Sequence, residues 1–130
     1  MKKGGRLLGI DYGMKRVGVA LSDEEGVMAF PKAVYPNDRF LFTEIKNICE
    51  AYRVQIIVMG ESKDFNMKEN KIMKQVHAFK SELERDLNLP VHLEPEFMTT
   101  TEAQHLQGKT SFNDASAAAL ILKSYIEKQK

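Results

Sequence analysis

Cysteine is nearly missing from this chain: Cys49 is the only one in 130 residues. That excludes an internal disulfide and a multi-cysteine zinc site, and it suits a reducing, cytoplasmic compartment. An excess of either charge is missing as well. The 19 Lys and Arg against 18 Asp and Glu leave a formal net charge of +1. Any nucleic-acid surface must therefore come from local clustering rather than from a global basic field. Long apolar runs are absent: no window approaches a membrane span. The opening "MKKGGRLLGI" carries lysines but no apolar stretch of signal-peptide length. The histidines His77, His92 and His105 lack metal-ligand spacing. Repeats, low-complexity segments and linkers are not found either. The expectation is a soluble intracellular protein without a membrane partner.

What is present is enough apolar material for a core, 43% of residues, on a length that suits one domain over 1–130. "RLLGIDY" (6–12) and "RVGVALSD" (16–23) read as two strands joined by a short glycine-containing turn, hence an antiparallel hairpin. "GVMAFPKAVYP" (26–36) follows as a third strand, with Pro31 marking a bulge or a sheet edge. From Asp38, the recurrence of Leu41, Ile45, Ile48, Cys49 and Tyr52 predicts a helix. "VQIIVMG" (54–60) is a continuous apolar run, as for a strand buried on both faces. A second helix is predicted over 68–87, on Ile72, Val76, Phe79, Leu83 and Leu87. "PVHLEPE" (90–96) is a fifth strand, and Thr99 with Glu102 forms a capping-box pattern for a short helix. Asn113–Asp114 opens a last helix that turns Ala115, Ala118, Ala119, Leu122 and Ile126 inward. Hairpin-linked strands followed by strand–helix alternation imply an α/β fold: a mixed five-stranded sheet, three strands antiparallel and then two parallel, flanked by helices.

Four acids stand where such a fold would gather them: Asp11 inside the first strand, Glu61 past the fourth, Glu96 ending the fifth, Asp114 starting the last helix. Each also has a plainer use. Asp11 could shape a turn, Asp114 could cap its helix, and Glu61 and Glu96 could be solvated. Gathered together, unneutralised carboxylates repel, and a divalent cation resolves the conflict. Oxygen ligands without histidine or thiol favour Mg²⁺ or Mn²⁺. Two such ions can activate a water and stabilise the leaving oxygen in phosphodiester hydrolysis.

The stretches "LGIDYGMKRVGVALSD", "TTTEA" after Glu96, and "DASAAALILKSYI" resemble the YqgF (RuvX-type) family over nearly the whole chain. The resemblance implies a ribonuclease-H-like fold. It also implies a nuclease related to Holliday-junction resolvases and assigned to maturation of the 5′ end of 16S ribosomal RNA. By position, Asp11, Glu96 and Asp114 match the family's catalytic, metal-binding acids, with Lys15 matching its usual lysine and Arg16 beside it. The pattern also departs from the family. Pro95 and Phe97 replace the aspartate and arginine around the glutamate, and "GES" (60–62) replaces Gly-Leu-Pro, introducing Glu61 as a possible extra ligand. The segment between Glu102 and Asp114 is short, leaving Lys109 as its basic residue.

Lys15, Arg16 and Lys109 are thus the expected phosphate contacts, while Lys63, Lys68, Lys71 and Lys74 read as a solvated helix face. Phe40, Phe42, Phe65, Phe79 and Phe112 read as core or loop anchors, with Phe97 open as a base-stacking ring. Three functions remain: a metal-dependent nuclease acting on structured precursor rRNA, a dimeric junction resolvase on DNA, and a non-catalytic nucleic-acid-binding or ribosome-assembly module. Monomer and homodimer are both compatible with the sequence.

Overall fold

The computed structural model describes residues 5–61, 71–95 and 114–129. Its elements run β1 (Arg6–Tyr12), β2 (Arg16–Ser22), β3 (Ala29–Pro36), α1 (Leu41–Ala51), β4 (Val54–Glu61), α2 (Lys71–Leu87), β5 (Val91–Pro95) and α3 (Asp114–Lys128). The strands form one sheet in the order β3-β2-β1-β4-β5. β1, β2 and β3 make an antiparallel meander, and β4 and β5 add on parallel to β1. This is the expected α/β arrangement of three antiparallel strands and then two parallel ones.

Side-chain alternation sorts the sheet into two faces. Leu8 and Ile10 of β1, Val17, Val19 and Leu21 of β2, and Ile57 and Met59 of β4 pack in the larger apolar cluster. There they meet the stripes of α1 (Leu41, Ile45, Ile48, Cys49) and α2 (Met73, Val76, Phe79, Leu83). Leu7, Ala20 and Val58 face the other way, against Ala118, Ile121, Leu122 and Ile126 of α3. β4 is therefore buried on both faces, as its unbroken apolar run requires. α3 comes very close to β1. A Cβ on Gly9 would stand 2.8 Å from the Ala118 carbonyl oxygen and 3.0 Å from Leu122 Cβ, so only a glycine lets the helix lie there.

β3 is both an edge strand and irregular. Its register against β2 shifts between Val19 and Ala20, opposite Pro31, so the proline marks a bulge and an edge at once. Element ends move by a few residues from expectation. α1 begins at Leu41 rather than Asp38, because the Asp38 carboxylate accepts the Phe40 N–H at 2.9 Å and its carbonyl accepts Leu41 N–H at 3.1 Å. Asp38 thus closes a turn before the helix starts. β2 ends at Ser22, β3 begins at Ala29 and β5 ends at Pro95. The capping-box pattern at Thr99 and Glu102 lies outside the described residues, as do Phe65, Phe97, Phe112 and His105. Among the described residues no helix is long and apolar enough to cross a membrane.

Candidate active site

Asp11 is the sixth residue of the central strand, and the alternation that buries Leu8 and Ile10 under α1 and α2 puts it on the α3 face with Leu7 and Gly9. Its neighbours across the sheet are glycines. Asp11 pairs with Gly18 of β2, and Gly18 with Val34 of β3. On the other side Ile10 pairs with Met59, so one step further Asp11 stands beside Gly60, which pairs with Glu94 of β5. The row across this end of the sheet is Val34, Gly18, Asp11, Gly60, Glu94. The residues directly opposite Asp11 on both neighbouring strands are glycines, about 10 Å apart between their Cα atoms.

α3 opens with Asp114. Ala118, one turn later and about 6 Å along the axis, has its carbonyl against Gly9. Asp11 lies two residues beyond Gly9 on the same face. The contact between Gly9 and Ala118 therefore ties together the two elements that carry Asp11 and Asp114. β5 ends at Pro95, paired with Glu61, and Glu96 lies outside the described residues, as does Lys109. Glu61 does not join Asp11. It continues the alternation of Ile57 and Met59 toward the α1 and α2 side, so the sheet separates the two carboxylates. Lys15 and Arg16 are exposed at the turn and start of β2 that follow Asp11.

One acid on this face was not singled out in the sequence. Glu94 is 3% exposed. It accepts the Ser124 hydroxyl at 2.7 Å and pairs with Lys128 Nζ at 2.8 Å, which fastens the second half of α3 to β5. On the same face the exposed His92 stacks on Tyr125 with ring centroids 5.6 Å apart. A signal existed in the strand itself: His92 and Glu94 share one phase of "VHLEP", and Ser124 and Lys128 are four apart on one helix face.

Donor chemistry on the Asp11 face suits a hard divalent cation. Asp11 brings carboxylate oxygens, Glu94 being already engaged by Ser124 and Lys128, while the cysteine lies across the sheet in the larger cluster. Among the described residues no three His, Cys, Asp or Glu side chains converge. Glu96 and the Asp114 side chain, which the family resemblance also implies as ligands, lie outside what the structure describes. A cavity of about 590 Å³ lies at the other end of β1, lined by Arg6, Ser22, Glu24, Lys32 and Tyr52 among others. Its cations are already engaged: Arg6 pairs with Glu24 at 3.4 Å and Lys32 donates to the Tyr52 hydroxyl at 2.8 Å. That hydrogen bond holds the Tyr52 phenol below the usual range.

A family model described as RuvX, Holliday junction resolvase, matches residues 5–128. A protein of Rickettsia peacockii (strain Rustic) named "Putative pre-16S rRNA nuclease" is 31% identical along 134 aligned positions, covering 95% of this chain and 87% of its own length. A protein of the same name from Nitratidesulfovibrio vulgaris (strain DSM 19637 / Miyazaki F) is 36% identical, covering 93% of this chain and 92% of its own. Among solved structures, Thermus thermophilus RuvC in complex with a Holliday junction substrate superposes with a TM-score of 0.65 at 14% identity, over 96% of this chain and 95% of that one. The fowlpox virus resolvase with Holliday junction DNA gives 0.52 at 12% identity, over 95% and 98%. At these identities the structural likeness establishes the fold, which is the ribonuclease-H-like fold of those resolvases.

Proposed function

Because the chain belongs to the RuvX family, we propose that it is a nuclease that hydrolyses phosphodiester bonds in precursor 16S ribosomal RNA, working in the cytoplasm. Asp11, Glu96 and Asp114 are its metal-binding acids. The observation that carries this reading is the position of Asp11, a carboxylate on the central strand, flanked by Gly18 and Gly60 on the face covered by α3. A stiff central strand is where a group that must be held in place is best mounted.

Asp11, Glu96 and Asp114 would hold Mg²⁺ or Mn²⁺, two ions in the full site, and Glu61 stays outside this set because it lies across the sheet. Bound there, the ions would supply a nucleophile at neutral pH and charge stabilisation for the leaving oxygen. The chain's own residues do the rest. Lys15 and Arg16 meet the phosphate backbone beside the scissile bond, with Lys109 as a further contact. The bare strip of Gly18 and Gly60 lets that backbone come close to Asp11. Water adds across the P–O bond, leaving one phosphomonoester end and one hydroxyl end.

The test is cleavage of end-labelled precursor 16S RNA and, in parallel, of a four-way DNA junction, each with and without Mg²⁺ or Mn²⁺. Metal-dependent cutting of the RNA is expected, falling at least a hundredfold in Asp11→Asn with the fold unchanged by circular dichroism. Cutting of the junction alone would assign the chain to DNA, in line with the substrate held by the resolvases that share its fold. Full activity in Asp11→Asn would overturn the site.

A further inference from the structure

Beyond the turn that follows Asp11, the structure presents a patch that the site itself does not use. Phe40 is 56% exposed and Met14 58%, so of the two readings of Phe40, core or loop, the core one does not hold. Phe40 occupies the N-cap of α1 and makes no side-chain cap hydrogen bond. Ser, Thr, Asp or Asn would stabilise that position, and a phenylalanine does not. The Arg39 guanidinium lies over the Phe40 ring, 5.0 Å from its centroid, and Arg39 is itself exposed. The ring is held in place by the Arg39 guanidinium and leaves its outer face open to a further planar group.

The patch is tied to the Asp11 hairpin. Asn37 Nδ2 donates to the Gly13 carbonyl at 2.8 Å, and Asn37 N–H donates to the Lys15 carbonyl at 2.9 Å. Two bonds thus fix the loop that leads to Arg39 and Phe40 onto the turn that carries Met14 and Lys15. Tyr12, the residue after Asp11, shares a cavity of about 240 Å³ with Asn37 and Arg39. The nearby acid Asp38 has its carboxylate turned to the Phe40 N–H. Lys15, Arg16 and Arg39 with Phe40 therefore give this end of the sheet exposed positive charge interleaved with a planar apolar group. That combination recognises a strand whose bases are unstacked, because phosphates meet the cations while a base lies on the ring or on the guanidinium. A fully paired duplex offers the phosphates but keeps its base faces covered.

We propose that Arg39 and Phe40, at the start of α1, form a stacking platform for an unpaired base of a strand that passes the Met14–Lys15 turn after Asp11, so that the chain selects strands with unpaired nucleotides near the bond it cuts. This rests on the nuclease reading above and deepens it. The experiment is fluorescence anisotropy in EDTA, where nothing is cut, with a labelled short RNA strand and with its complete duplex. Phe40→Ala is expected to weaken single-strand binding about fivefold to a hundredfold and to leave duplex binding within twofold. Phe40→Tyr retains the wild-type preference. Melting curves of both variants match the wild type, since the ring is exposed. If Phe40→Ala binds strand and duplex as the wild type does, or loses both equally, the platform is wrong, while Asp11-dependent cleavage still upholds the nuclease. If the wild type binds neither RNA, the platform is wrong as well, and the nuclease reading is decided separately by the metal-dependent cleavage assay.

Discussion

Cys49 and Glu94 show how one side chain's surroundings set its chemistry. The Cys49 thiol lies 5% exposed in the cluster under α1, and burial, with a smaller contribution from Glu50, pushes its pKa up to about 12. At pH 8 its thiolate would be about one part in ten thousand, against roughly a quarter for an ordinary thiol. An alkylating reagent at pH 8 is therefore expected to label the native chain at least a hundredfold more slowly than the urea-unfolded chain; equal rates would refute the burial. The sign for stability follows. The folded-state pKa is raised, so the stabilisation is fully present below the ordinary thiol value and is lost as pH rises toward about 12. Glu94 is buried but satisfied, since Ser124 donates to it and Lys128 pairs with it. Sequence alone could not show this. The partner lies 30 residues away on another element, and an acid at a strand end reads as solvated by default. Phe40, read as a core or loop anchor, stays outside the core in the loop before α1.

At the scale of elements, the contact of α3 with β1 governs the site. Gly9→Ala puts a methyl group 2.8 Å from a backbone carbonyl that cannot turn away. We expect a loss of about 1–3 kcal/mol in urea denaturation and a cleavage rate reduced well beyond that of Leu83→Ala. Leu83 is fully buried on the far face and should cost about 2–5 kcal/mol without moving α3. Comparable activity in the two variants would separate the helix position from catalysis. The strands were readable from the residues: alternation in "RLLGIDY", the unbroken run of β4, and Pro31 marking an edge. Helix starts were less so, because Asp38 looks like a cap yet spends its carboxylate on a turn. Glu61 was grouped with Asp11 by its place at a strand end, although counting by twos from Met59 puts it across the sheet. The Asp11, Gly18 and Gly60 row needed the β1–β4 register, which no spacing along the chain reveals.

Taken whole, the molecule carries almost no net charge, +1 over its length, so any grip on a nucleic acid must be local. With Lys15, Arg16 and Arg39 as the described cations at this end, single-strand affinity should fall with salt on a log–log slope of about −2. Replacing any one of them by alanine should make that slope shallower by about 0.7. An anisotropy titration across salt concentrations measures it, and an unchanged slope in all three variants would place the phosphate path elsewhere.

The sheet order has a temporal consequence too. β1, β2 and β3 are joined by short turns and pair with their chain neighbours, so they can zip together quickly from local contacts. The parallel seam between β1 and β4 joins segments more than forty residues apart and must close a long loop first, which makes it the slower event. Asp11 sits on that seam. A chain that has formed its meander but not yet received β4 and α3 already displays the carboxylate and the basic turn, without the strand and helix that complete the row. Closure of the seam beside Asp11 is therefore expected to follow formation of the meander.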